Sequence, residues 1–175
     1  HHLIEEVLPR FGIDVLRFDC RADADGLRSM IDATGKAPGA FLIETPSNPT
    51  NDLIDIAMCA GVAAGYRTNE RPVPLAVDNT FLGPVFSHPL EHGADIVLYS
   101  ATKFIGGHSD LIAGAAVGSK ELLEPIREFR TILGTQTGPW TAWLIQRSLE
   151  TLLIRMRRQQ ESAVEVAAYL RDHPK

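Results

Sequence analysis

A chain of 175 residues, 45% hydrophobic and 22% charged, has the composition of one folded domain able to bury its own core. A formal net charge of −5 with no offsetting basic block argues against nucleic acid or an anionic membrane surface as partner. No apolar run approaches the ~18 residues of a membrane span, no signal-peptide pattern opens the chain, and Cys20 and Cys59 form neither CxxC nor a metal spacing. The expectation is a cytoplasmic protein with two buried free thiols.

In chain order, "HHLIEEVLP" reads as the end of a helix broken at Pro9, and "GIDVLRFDC" (12–20) alternates like a strand. "DADGLRSMIDA" has the spacing of a short amphipathic helix. "GAFLIETP" (39–46) is a compact apolar run stopped by proline, the pattern of a buried strand. "DLIDIAMCAGVAAGY" (52–66) carries apolar residues at helical intervals, with Asp52 and Asp55 expected in its first turn. Strands follow at "PLAVDNT" (74–80) and "DIVLYSAT", separated by a short helix "HPLEHG" ended by Gly93, and a small-residue strand at "AGAAVGS" (113–119). From Glu121 the pattern is helical to about Arg171, broken near 134–139. The arginines of "IRMRR" (Arg155, Arg157, Arg158) read as a solvated helix face. Strands alternating with helices predict an α/β fold, a mostly parallel sheet sandwiched by helices.

In such sheets ligands sit at the carboxyl ends of the strands. Three strands end in polar residues: "IETPSNPT", "AVDNTF" and "LYSATK". Asp78 and Asn48 also suit turns, and Ser100 and Thr102 also suit backbone satisfaction. Together, however, an acid, an amide, two hydroxyls and Lys103 describe a cofactor site. A lysine can hold an aldehyde as a Schiff base, hydroxyls two apart on one side can bind a phosphate, and a neighbouring carboxylate can keep a ring nitrogen protonated. Aldehyde, phosphate and pyridine nitrogen belong to one cofactor, pyridoxal 5'-phosphate. Rival motifs fail. "GHSDL" lacks the second glycine of a nucleophile elbow, no GxxxxGK[ST] occurs, and His88, His92 and His108 share no metal spacing with cysteines or acids.

The stretches "ETPSNPT", "AVDNTFLGPVFSHPLEHGADIVLYSATKFIGGHSDLIAGAAVGS" and "RSLETLLIRM" resemble the pyridoxal phosphate enzymes of cysteine and methionine metabolism. That family includes cystathionine γ-synthase, cystathionine γ-lyase, methionine γ-lyase, cystathionine β-lyase and the homoserine-ester sulfhydrylases. The resemblance implies the large domain of fold-type I, the aspartate aminotransferase-like architecture. It implies Lys103 as the catalytic and cofactor-holding lysine, and Asp78 as the pyridinium partner. Ser100 and Thr102 match phosphate-binding hydroxyls, and Asn48 an asparagine near the ring oxygen and the substrate carboxylate. Glu44 matches a supporting position. Residues 1–175 correspond to the central part of the cofactor-binding domain. A phosphate loop and a ring-stacking tyrosine are expected before His1, and a small C-terminal domain with a carboxylate-binding arginine after Lys175. The implied activity is γ-elimination or γ-replacement on sulfur amino acids or homoserine esters, in trans-sulfuration or methionine metabolism. "DNTF" with "GHSD" leans toward the γ branches over the β-lyase branch. A homo-oligomer with shared active sites is also implied. The rival of another class is a non-catalytic piece acting only in folding or assembly.

Overall fold

The computed structural model describes residues 2–174. Four strands, β1 (Phe41–Glu44), β2 (Leu75–Asp78), β3 (Ile96–Ser100) and β4 (Gly114–Gly118), form one sheet in the order β1-β2-β3-β4. The first three run parallel and β4 is antiparallel to β3. Small residues in β4 have a steric reason at its end. A Cβ on Gly118 would lie 2.7 Å from the Asp95 carbonyl oxygen, so the strand closes against β3 only with glycine there.

Helix α1 (Ala24–Ala33) forms where its spacing predicts. Asp23 caps it by accepting from the Gly26 amide at 2.8 Å, an arrangement that stabilises by about 1 kcal/mol. Leu27 and Ile31, one turn apart, are its buried contacts. Helix α2 (Ile56–Ala64) begins later than its sequence suggests. Asp55 is the cap, accepting from the Met58 amide at 3.0 Å. Asp52 is not in the helix at all. Residues 47–52 close on themselves through Ser47 N–H to the Asp52 carbonyl (3.0 Å) and Asn51 N–H to the Ser47 carbonyl (2.8 Å), and this turn holds Asp52 outside.

Two other expectations are corrected. Residues 12–20 form no strand: Ile13, Val15 and Leu16 are 48%, 39% and 41% exposed, and only Phe18 of that run packs on the core. Alternation makes a strand possible, but a strand exists only where a neighbour completes its ladder, and no described strand pairs with this one. At the N-terminus Pro9 does not break the helix. A wide turn over Leu3–Val7 runs into a tight one over Leu8–Phe11, where proline at the second position lacks only an amide that has no partner anyway. Gly12, at φ 74°, ends it.

The first core cluster joins Leu27 and Ile31 of α1, Cys59, Val62 and Ala63 of α2, and Phe41, Ile43, Leu75 and Val77 of the sheet. Within it burial raises the Cys59 thiol to about 11, with the Asp55 carboxylate adding to the effect. The C-terminal half is helical, α4 (Lys120–Leu133), α5 (Pro139–Leu149) and α6 (Leu152–Arg171), and follows the short α3 (Gly83–Phe86) after β2. A second, smaller cluster of Ala101, Ile105, Leu152 and Met156 joins α6 to the segment after β3. No helix among the described residues is long and apolar enough to cross a membrane.

Candidate functional site

Strand periodicity places the first three polar groups. Phe41 and Ile43 of β1 and Leu75 and Val77 of β2 face the first core, so Glu44 and Asp78 face the other way, and the two are register partners. Asp78 is in turn opposite Leu98, and Ser100 lies two residues, about 7 Å, farther along β3 on the same face. Glu44, Asp78 and Ser100 thus share one face at the carboxyl ends of three adjacent strands.

The loop after β2 fixes Asp78. Its Oδ1 accepts from the Thr80 amide at 3.0 Å, and the Thr80 hydroxyl accepts from the Ser100 amide at 2.8 Å. Side chains therefore stitch the end of β2 to the end of β3. Between them Asn79 is fully buried. Its amide group donates to the carbonyls of Gly83 and Ser87, both at 3.0 Å, and meets the Tyr99 hydroxyl at 3.3 Å. Asn79 Oδ1 is buried without a partner among the described residues. Neither Thr80 nor Asn79 was singled out from sequence, although the "DNT" triplet following an apolar strand is a turn-forming signal.

Lys103 sits on the turn that leaves β3. The turn is closed by Lys103 N–H to the Ser100 carbonyl (3.0 Å), Gly106 N–H to Ala101 (2.7 Å) and Gly107 N–H to Lys103 (2.7 Å). Buried Ala101 and Ile105 anchor it, while the lysine side chain is exposed. Thr102 is differently employed. Its hydroxyl donates to the Ala113 carbonyl at 3.2 Å and accepts from the Ala113 amide at 3.0 Å, tying the turn to the entrance of β4. Asn48 lies in the exposed loop beyond β1, and no side-chain bond draws it toward the other four.

Helix α6 supports both turns. Met156 packs on Gly83, where a Cβ would lie 2.8 Å from the methionine Cε. Arg155 does not belong to a solvated face, as the sequence suggested. It is half-buried, and its guanidinium donates to the carbonyls of Phe104 (2.8 Å), Ile105 (3.2 Å) and Ser148 (2.8 Å) and to the Thr151 hydroxyl (3.0 Å). Arg157 and Arg158 are exposed, as expected. Among the described residues no three His, Cys, Asp or Glu side chains gather as a metal site.

A mostly parallel α/β sheet thus carries an acid and a hydroxyl on one face of its strand ends, with a lysine on the next turn. The chain belongs to the Cys/Met metabolism PLP-dependent enzymes, whose family model matches residues 1–175, and pyridoxal phosphate is the cofactor of that family. It is 40% identical over 173 residues to cystathionine gamma-synthase/O-acetylhomoserine (thiol)-lyase of Bacillus subtilis, covering 98% of this chain and 44% of the relative. It is 38% identical over 169 residues to L-methionine gamma-lyase of Treponema denticola, covering 95% and 40%. Its structure matches that of cystathionine gamma-lyase from Lactobacillus plantarum complexed with L-serine, with a TM-score of 0.88 and 36% identity over 99% of this chain and 43% of that one. The chain thus spans less than half the length of these relatives.

Proposed function

We propose that residues 1–175 are the central part of a pyridoxal phosphate-binding large domain, and that the protein catalyses γ-elimination or γ-replacement on sulfur amino acids or homoserine esters. The observation that carries this is the state of three atoms. The Lys103 amine, Asp78 Oδ2 and the Ser100 hydroxyl have no hydrogen-bond partner among the described residues, although they lie on adjoining strand ends. An amine, a carboxylate oxygen and a hydroxyl left open together complement an aldehyde, a protonated ring nitrogen and a phosphate. The residues present therefore fit the cofactor.

When bound, pyridoxal phosphate supplies an electron sink for negative charge at the substrate α-carbon. Lys103 would hold the aldehyde through Nζ, and its amine would serve as the base that moves protons at the substrate carbons. Asp78 Oδ2 would keep the ring nitrogen protonated, with Oδ1 bonded to the Thr80 amide. Ser100 would bind the phosphate through its hydroxyl. Thr102, whose hydroxyl is bonded to Ala113 in this structure, would be a second phosphate ligand only by exchanging those bonds. Asn48 is assigned to the ring oxygen and the substrate carboxylate. Elimination and replacement share their steps up to departure of the γ-substituent, and these residues serve the shared steps. The γ-acting relatives support that choice of reaction. A homo-oligomer with shared sites is part of the same proposal.

The test is Lys103→Ala in the full-length protein. Borohydride should fix pyridoxal phosphate to the wild-type chain and not to the variant, and release of thiol or 2-oxo acid should disappear. Normal trapping in the variant refutes the assignment.

A further inference from the structure

We infer that Arg155 is a positioning residue for Lys103, an inference that rests on the reading of Lys103 as the cofactor-holding amine. The turn bearing Lys103 ends without continuing into a helix, so its last carbonyls have no intrahelical donors. Arg155 supplies them: one guanidinium nitrogen takes the Phe104 carbonyl and another takes that of Ile105. The guanidinium is itself held from the opposite side, by the Ser148 carbonyl at the end of α5 and the Thr151 hydroxyl. One planar cation therefore joins the lysine turn to the α5–α6 junction, Arg155 lying 51 and 50 residues after Phe104 and Ile105 in the chain.

The glycines of the turn make this approach possible. A Cβ on Gly107, at φ +75°, would lie 1.9 Å from Arg155 Nη1, and one on Gly106 would lie 2.9 Å from the Ala101 carbonyl oxygen. No other side chain donates to the Phe104 or Ile105 carbonyl among the described residues. Without Arg155 the turn retains its internal bonds, the Thr102–Ala113 bonds at its start and the packing of Ala101 and Ile105, none of which reaches the Phe104 or Ile105 carbonyl. Lys103 projects from the middle of that turn, so the precision with which Nζ is placed depends on the clamp.

The experiment compares the full-length wild type with Arg155→Ala, Arg155→Lys and the exposed control Arg157→Ala, first without cofactor. Hydrogen–deuterium exchange at the Gly106 and Gly107 amides reads the turn directly, because both amides are bonded within it. Losing charge-assisted bonds should speed that exchange about tenfold or more in Arg155→Ala, with partial recovery in Arg155→Lys and no change in Arg157→Ala. Pyridoxal phosphate is then added, and growth of the visible band of lysine-bound cofactor is timed. The band should form roughly tenfold slower in Arg155→Ala, with the lysine variant between. Exchange and band formation both within about twofold of wild type in folded Arg155→Ala overturn the inference. If that variant does not fold, Arg155→Lys decides, since a single ammonium cannot reproduce the planar fork, and wild-type values there also overturn it. A Lys103→Ala control separates the two readings. A band that persists in it sinks the lysine assignment, whereas a band lost there alongside an unaffected Arg155→Ala sinks only this one.

Discussion

Replacing Asp78 by Asn separates charge from shape at the site. An asparagine is nearly isosteric and its Oδ1 can still accept from the Thr80 amide, so the 3.0 Å bond that fixes the loop survives. Fold stability should change by no more than about 0.5 kcal/mol. The second oxygen, which has no partner among the described residues, becomes an uncharged NH2 that cannot hold a ring proton. Removing one positioned electrostatic group of this kind should lower turnover roughly 10²-fold or more, or about 2.7 kcal/mol of barrier. Asp78→Ala makes a useful contrast, because it also orphans the half-buried Thr80 amide and should cost an additional ~1–3 kcal/mol of stability. The full-length variants would be compared by thermal melting, by cofactor absorbance, and by release of thiol or 2-oxo acid. Turnover within about threefold of wild type, at equal cofactor occupancy, would show Asp78 to be only a turn residue and refute the reasoning.

Asn79→Ala leaves the Gly83 and Ser87 carbonyls without their buried donor and should destabilise the fold by about 2–4 kcal/mol, read from the denaturant midpoint. A loss below ~0.5 kcal/mol would mean that water replaces the amide at no cost. At pH 8 a thiol reagent should label Cys20 well before the fully buried Cys59, and equal rates would contradict the packing around α2. The raised Cys59 thiol favours the protonated form in the fold, so its contribution to stability is intact below the ordinary thiol value of 9.0 and is lost as pH rises toward about 11. Between those values Cys59→Ala should lose less stability than wild type, and parallel curves would refute the shift.

The sheet was legible because its strands are short apolar runs with polar ends: 39–46, 74–80 and 95–102 contain β1, β2 and β3. Asp78, Ser100 and Lys103 stood out for the same reason, as polar groups interrupting apolar strands. Residues 12–20 misled because alternation records which face a strand would bury, and not whether a neighbour exists to pair with it. Asp52 misled because Asp52 and Asp55 both suit a helix start, and only the closed turn at 47–52 decides between them. Arg155 was illegible in principle. Its neighbours in sequence are charged and solvated, and its partners Phe104 and Ile105 offer backbone carbonyls that no side-chain pattern announces. Asn79 was hidden in the same way, since two of its three partners are main-chain carbonyls.

Arg155 and Met156 are consecutive, yet one grips the turn after β3 and the other packs on the turn after β2. Acid and amine therefore stand on a common footing. A slide of α6 along its axis is delivered to both turns at once, as a common-mode displacement. A differential displacement, which would pull Lys103 away from Asp78, has to originate within one turn: at Gly83 or Asn79 on one side, or at Gly106 or Gly107 on the other. The far end of α6, where Val164, Val166, Tyr169 and Leu170 are exposed, can then change its contacts without retuning the spacing of the two groups.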